Sequence, residues 1–366
     1  MKELSLYIHI PFCKTICLYC NFVTFAHKNK KIPDYIEALK TEIKEKSKNY
    51  KNNKVVTIYF GGGTPSQLPA ENIEQILATI KDTFQIAPKI EINIECNPES
   101  IDIQKLQHYK SMGINRISLG IQSFNKKTLL RIARPHDHLT IYKTLESLQK
   151  AGIENFGTDF IMGLPYQTFA SFKAEIETVL SYNPPHISAY FLSYDTKKIG
   201  LFIKDCPQEE EQIQMYEWLV KRLRKAGLKH YEVSNYAKPG FECLHNLRYW
   251  QQKEYVGFGI GAHSYVDKTV WENTADFEAY IQNPLLDPQS LKIDQDLDRS
   301  EFILLSLRTA KGINKKDYES KYQNLSKLLT KAETYIQSKH LVQTKANLQP
   351  TDKGFLIIDR ITKDLI

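Results

Sequence analysis

The sequence predicts an α/β fold built on a parallel sheet, with a small α+β unit after it, and three observations carry that expectation. Short runs rich in β-branched residues recur at 5–10, 55–60, 90–97, 116–122, 155–162 and 186–192. Amphipathic helical patterns separate most of them, at 33–50, 70–83, 101–112, 139–151 and 169–180. Regular alternation of this kind builds βαβ units, which close into an open barrel or spread into a doubly wound sheet. The third observation is what stands at the strand ends.

A loop with Cys13, Cys17 and Cys20 follows the first strand, and Gly61, Gly62, Gly63, Thr64 and Pro65 follow the second. Glu95, Cys96, Asn97 and Pro98 end the third, Gln122, Ser123 and Phe124 the fourth, and Asp159 lies in the fifth ahead of Gly163 and Pro165. Functional groups of such sheets gather at the C-terminal ends of strands, so one shared site is expected there. Gly113 and Gly152 fall where helix C-caps belong.

Beyond about residue 205 the pattern changes. A long helix at 209–226 leads to a stretch rich in glycine and aromatics from 231 to 265, then to a Pro- and Asp-rich linker at 284–298. The expected organisation is a core over 1–205, an extension over 206–290 and a C-terminal unit over 291–366. That last unit reads as helices at 297–307, 314–322 and 326–338, then short strands at 341–345 and 354–358, the order of a small winged-helix-like domain. Its would-be recognition helix carries only Lys327 and Lys331 as basic residues, so packing or a lid role is expected and nucleic acid is not.

Of 366 residues, 25% are charged and 42% hydrophobic, ordinary for a globular chain with a full core. No signal-peptide core and no run of about 18 apolar residues is present. Cys96, Cys206 and Cys243 are scattered, unlike a secreted disulfide framework. A cytoplasmic location is expected, with weak membrane association left open. The formal charge of +7 lies largely in Lys-rich helices, read as solvated faces that also favour an acidic electron donor.

Three thiols at positions 13, 17 and 20 are one short of the four ligands of a structural zinc site, whereas a cubane on three thiolates leaves one iron open. His9 or a remote residue completing a zinc site, or plain reduced cysteines, remain readings of this cluster taken alone. The spacing after an apolar strand resembles that of the radical S-adenosylmethionine (SAM) superfamily. The resemblance implies a partial (β/α)6 TIM-like barrel, a 4Fe-4S cluster on Cys13, Cys17 and Cys20, and SAM bound at the open iron, with the backbone at Tyr19 near its adenine.

With the second strand's glycines, Thr64 and Pro65, the likeness narrows to the anaerobic coproporphyrinogen III oxidase-like branch. Tyr7, Gly62, Gly63, Thr64, Glu95, Gln122, Arg134 and Asp159 are similar in order and spacing to the cluster and SAM positions of that branch. The residue types suit these roles, since carboxylates accept from an ammonium or ribose hydroxyls, Arg134 pairs with a carboxylate, and glycines admit close backbone approach. Taken singly, Glu95 reads equally as a helix cap, Arg134 as a surface ion pair and Gln122 as a partner of buried backbone.

Two features separate the chain from the oxidases. Phe22 stands where they carry a fourth cysteine, and His245, Asn246, Tyr249 and Trp250 resemble the HNxxYW motif of a sister group of haem chaperones. That resemblance implies haem carriage, with His245 as the axial ligand and Cys243 as a second candidate. The alternative is a packed loop in which His245 caps a backbone carbonyl and Tyr249 and Trp250 are core. Residues 257–265, rich in glycine, resemble the segment that closes over SAM in this branch, and a dinucleotide-binding reading fails for want of its strand and acidic partner. The implied partners are haem, haem-accepting apoproteins and a flavodoxin- or ferredoxin-type electron donor, with dimerisation left open. The rival activity is oxidative decarboxylation of coproporphyrinogen III.

Overall fold

The computed structural model describes residues 1–193 and 203–366. Its centre is a 12-stranded sheet in which β1 (Lys2–Ile10), β2 (Asn53–Gly62), β3 (Gln85–Cys96), β4 (Arg116–Gln122), β5 (Phe156–Met162) and β6 (His186–Phe191) lie side by side in chain order, all parallel. Helices Ile32–Ser47, Ala70–Thr83, Ile103–Met112, His138–Lys150 and Phe169–Leu180 make the crossovers. The termini are built as their residues dictate: Asp102, Asp137 and Thr168 accept from N3 amides at the N-caps, and Gly113 takes φ +99° at a C-cap.

Alternate residues of each strand face opposite sides. Leu6, Ile8, Ile58, Phe60, Ile92, Ile94, Ile117 and Leu119 belong to one continuous apolar core with Leu39, Ile43, Ile73, Leu77, Leu106 and Leu145 of the helices. The other face is polar: Ser5, Thr57, Glu91, Asn93, Arg116, His186 and Ser188 are all buried. A second buried face of this chemistry is the lining of a barrel interior, where each polar group needs a partner.

The extension after residue 205 covers both edges of the six strands. Asn235–Ala237 pairs antiparallel with β6 and carries Lys229–Glu232 outside it. Tyr255–Phe258 pairs parallel with β1 on the opposite edge, followed by His263–Val266, Thr269–Glu272 and Ser290–Lys292. The two outermost strands do not pair with each other, so the barrel remains partial. Between the two edges, helix Leu244–Trp250 crosses beneath the barrel.

Two expectations for the tail are corrected. The linker at 284–298 contains strand Ser290–Lys292, which belongs to the large sheet, and the start of helix Gln295–Leu307. The second wing strand is Asn347–Pro350, while 354–358 is helical: Thr351 caps the turn at Gly354, and Ile358, Ile361 and Leu365 follow at helical spacing into the core. Ile313–Asn314, Asn347–Pro350 and Leu341–Gln343 form a three-stranded sheet against helices Lys315–Tyr322 and Leu325–Gln337, around a core with Ile303, Leu307, Tyr318 and Leu328. No helix among the described residues is long and apolar enough to cross a membrane.

Candidate functional site

The cysteine loop is fixed by backbone bonds to its neighbours. Cys13 pairs with Ala26, and the amides of Gly63 and Thr64 donate to Ile10 and Phe12 at 2.8 and 2.9 Å. The amide of Leu18 donates to Ile132, and that of Cys20 to Cys17. This loop roofs one side of a 480 Å³ cavity at the C-terminal ends of the strands, within the usual range of small-molecule sites. Cys13, Cys17, Cys20, Tyr19, Gly62, Gly63, Thr64, Glu95, Gln122, Arg134 and Asp159 all line it.

Several polar groups there hold one another. Thr64 Oγ1 lies 3.6 Å from Cys13 Sγ, and Arg134 donates to Cys17 Sγ at 3.6 Å and to Asn97 Oδ1 at 2.8 Å. Burial opposes the charge of Arg134, but Tyr19, Cys17 and Glu99 more than offset it and its pKa is raised. Burial pushes the Cys13 thiol up to about 11, with Thr64 acting against the shift. Glu95 accepts from Tyr59 at 2.8 Å and from the Gly62 amide at 3.2 Å. Burial nevertheless raises its pKa to about 7, and that of Asp159 to about 6 against the bond from Ser188. Gln122 takes a left-handed φ of +67° beside a register shift between β4 and β5, which turns this strand end into the cavity.

The residues fit the groups the resemblance implies. Three thiols converge on one cavity wall, where a metal would take them as thiolates. Arg134 Nε is buried with no partner, an orphaned donor that a ligand carboxylate would satisfy. At Gly63 an added Cβ would stand 2.9 Å from Phe12 O and 3.0 Å from Cys13 Sγ, so the close approach of this turn to the loop requires glycine.

Tyr7 and His245 are placed elsewhere. Tyr7 faces a neighbouring cavity, its hydroxyl 3.1 Å from His9 Nδ1. His245, 1% exposed, sits on the barrel floor with Nδ1 2.8 Å from Thr57 Oγ1 and Nε2 2.8 Å from Tyr249 OH. Its amide donates to Glu91, as does that of Leu244. Both ring nitrogens are engaged, and burial depresses the pKa to about 3, so the imidazole is neutral. The expected axial haem ligand thus lies packed in helix Leu244–Trp250, its ring bonded to two hydroxyls rather than to a backbone carbonyl. Cys243 is buried as well, beside Glu91.

The glycine-rich segment lines the cavity that adjoins that of the cysteines. Gly259, at φ +99°, donates to the buried carboxylate of Glu42, and Gly261 and His263 line the neighbouring cavity rather than that of the cysteines. The sequence names Asn97 only as part of a strand end, where it bonds both Arg134 and Thr64, and gives no role to Tyr190 and Phe191 at the cavity mouth. The strand-end rule, applied to β6, would have found the two aromatics.

Residues 7–179 match the Radical SAM superfamily and residues 293–357 the HemN C-terminal domain. A protein of Lactococcus lactis named heme chaperone HemW is 34% identical over 366 residues, covering 97% of this chain and 95% of its own. The Bacillus subtilis protein of the same name is 33% identical over 330 residues, with 87% and 86% covered. Among solved structures, the coproporphyrinogen III oxidase HemN of Escherichia coli aligns with a TM-score of 0.88 at 23% identity, over 100% of this chain and 90% of that one. At that identity the likeness speaks for the fold.

Proposed function

The chain belongs to the HemW haem chaperone family of the radical SAM superfamily, and from that premise we propose that it carries haem for delivery to apoproteins and holds a 4Fe-4S cluster and SAM beside it. The observation that carries the cofactor part is the convergence of Cys13, Cys17 and Cys20 with Arg134, Glu95 and Asp159 on one cavity. When bound, the cluster supplies a single low-potential electron, drawn from a flavodoxin- or ferredoxin-type donor.

The chain's own groups perform the binding. Cys13, Cys17 and Cys20 are the metal ligands, and Thr64 and Arg134 donate toward their sulfurs. Arg134 Nε pairs with the SAM carboxylate, and the carboxylates of Glu95 and Asp159 accept from its ammonium and ribose. Gly63 keeps a side chain out of the space between the loop and β2, and Gly62, at φ +111°, leaves room for the His9 ring. Tyr19 lies on the same wall, against Ile132 and Leu164.

Haem carriage rather than coproporphyrinogen oxidation is supported by Phe22, whose side chain stands at the cavity rim, 72% exposed, where the oxidase pattern has a cysteine. The test is anaerobic turnover of coproporphyrinogen III by cluster-loaded protein with SAM and a strong reductant, paired with haem titration. Haem binding without protoporphyrinogen is the expected result, and product formation overturns it. Cys17→Ala is expected to lose most iron and sulfide; full retention would remove the cluster assignment.

A further inference from the structure

We propose that haem is taken up in the wedge between the β1 edge of the sheet and helix Gln295–Leu307, with His263 as the axial ligand of its iron. The inference rests on the reading of the chain as a haem carrier and names the site that reading lacks once His245 is found in the barrel floor.

A cavity of 660 Å³ opens there, larger than the one beside the cysteines. Its walls are the flat, apolar surfaces a macrocycle packs against: Tyr255 and Tyr265 on the sheet, Tyr249 on helix Leu244–Trp250, and Leu304 and Leu305 on helix Gln295–Leu307. Two imidazoles line it, and only one is available. His9 is 4% exposed, with Nδ1 bonded to Tyr7 and Nε2 2.8 Å from Val23 O.

His263 differs in each respect. Its side chain is 65% exposed, and its cross-strand neighbour is Glu272, whose carboxylate lies 3.6 Å from Nε2. A carboxylate next to one ring nitrogen is the usual companion of a metal-ligating histidine, because it fixes the ring and makes the other nitrogen more basic. The step is a dative bond only: the free nitrogen's lone pair enters the iron's coordination sphere, a water leaves, and no electron is transferred.

The cavity also suits the two ends of the cargo. Past Gln252, Lys253 and Tyr265 it continues into a polar recess lined by Lys268 and Lys321. Lys268 is paired with Asp298 at 3.0 Å, while Lys253 and Lys321, the latter resting 4.7 Å over the Phe302 ring, carry no ion pair among the described residues and would face two propionates. Glu301 and Glu272 on the apolar stretch would repel carboxylates and orient the macrocycle with its acidic edge toward the recess. At the other end, Asn21 and Phe22 belong to the walls of both cavities. Haem in the wedge therefore lies against the cysteine loop through an apolar side chain, at the position where the oxidase pattern has a thiol.

Ferric haem titrated into the cluster-loaded full-length protein, followed by its Soret band, tests the site. Wild type is expected to give an imidazole-ligated spectrum, and His263→Ala, at an exposed position, to lose it, to bind roughly tenfold or more weakly, and to regain the spectrum with added imidazole. Leu304→Arg, which fills the wedge from the helix side, is expected to weaken binding without altering cluster absorbance. An unchanged spectrum and affinity in His263→Ala overturns this assignment while leaving haem carriage intact; absence of haem binding by wild type overturns the carrier reading itself.

Discussion

Thr57 in β2 and His245 in helix Leu244–Trp250 are separated by 188 residues and joined by a 2.8 Å hydrogen bond inside the barrel. With the bond from Tyr249 and the two amides held by Glu91, it fastens the extension to the floor of the six-stranded core. His245→Ala leaves a cavity and strips Thr57 and Tyr249 of a partner. The expected loss is about 2–4 kcal/mol of stability, read as a lower denaturant midpoint, with iron and sulfide content unchanged because the cysteines lie at the opposite end of the strands.

The same histidine makes the fold acid-sensitive. Burial depresses His245 to about 3 and His9 to about 4, and holds His186 well below the ordinary value. Below about pH 6.5 the unfolded chain protonates these imidazoles and the native state does not, so their share of the stability is full above that pH and falls as pH drops toward 4, against the opposite trend of buried carboxylates such as Glu95 and Asp159. At pH 5 His245 and His9 each remove about 2 kcal/mol. Chemical denaturation of wild type and His245→Gln at pH 7.5 and pH 5 isolates the imidazole's share, and the variant is expected to lose less stability on acidification than wild type. An identical loss in that variant would assign the sensitivity to other groups.

Much of this arrangement was legible in the sequence because it obeys local rules. The strands show in runs such as 116–122, and the site shows because polar residues and glycines at successive strand ends have no packing reason to be there. The tail's last strand misled because residues 354–358, from Gly354 to Ile358, carry β-branched and aromatic side chains, although Ile358, Ile361 and Leu365 recur at helical spacing. Partners distant in sequence were invisible. Glu42 stands in a Lys-rich helix read as solvated, yet it is fully buried and holds Gly259, Asn273, Tyr280 and Lys46. For His245, the partner Thr57 lies 188 positions away and no sequence pattern announces it.

SAM binding is expected to weaken as pH falls. Burial first, then the proximity of Asp159, raises Glu95 to about 7, and burial raises Asp159 to about 6. Both groups accept hydrogen bonds best as carboxylates, so the ligand-competent form is complete above about pH 8 and is lost in turn through 7 and 6. Calorimetric titration of SAM between pH 8 and pH 5.5 should show about a tenfold loss or more, and Asp159→Asn should flatten the acid limb. Affinity independent of pH would remove both carboxylates from the ligand's contacts.

Gly63 supplies the last prediction, since it tests the loop without touching a sulfur. Its Cβ position lies 2.9 Å from the carbonyl oxygen of Phe12 and 3.0 Å from Cys13 Sγ. Backbone at that distance cannot yield as a flexible side chain can. Gly63 and Thr64 also anchor the loop through their amides to Ile10 and Phe12, so relief must come from moving the segment that carries Cys13. Gly63→Ala is therefore expected to fold, since the clash lies at a strand end outside the apolar core, but to reconstitute with substantially less iron and sulfide than wild type. Circular dichroism with metal analysis separates the two effects: native secondary structure with full cluster loading would show that the loop has slack here, and that Gly63 serves the SAM side of the cavity instead.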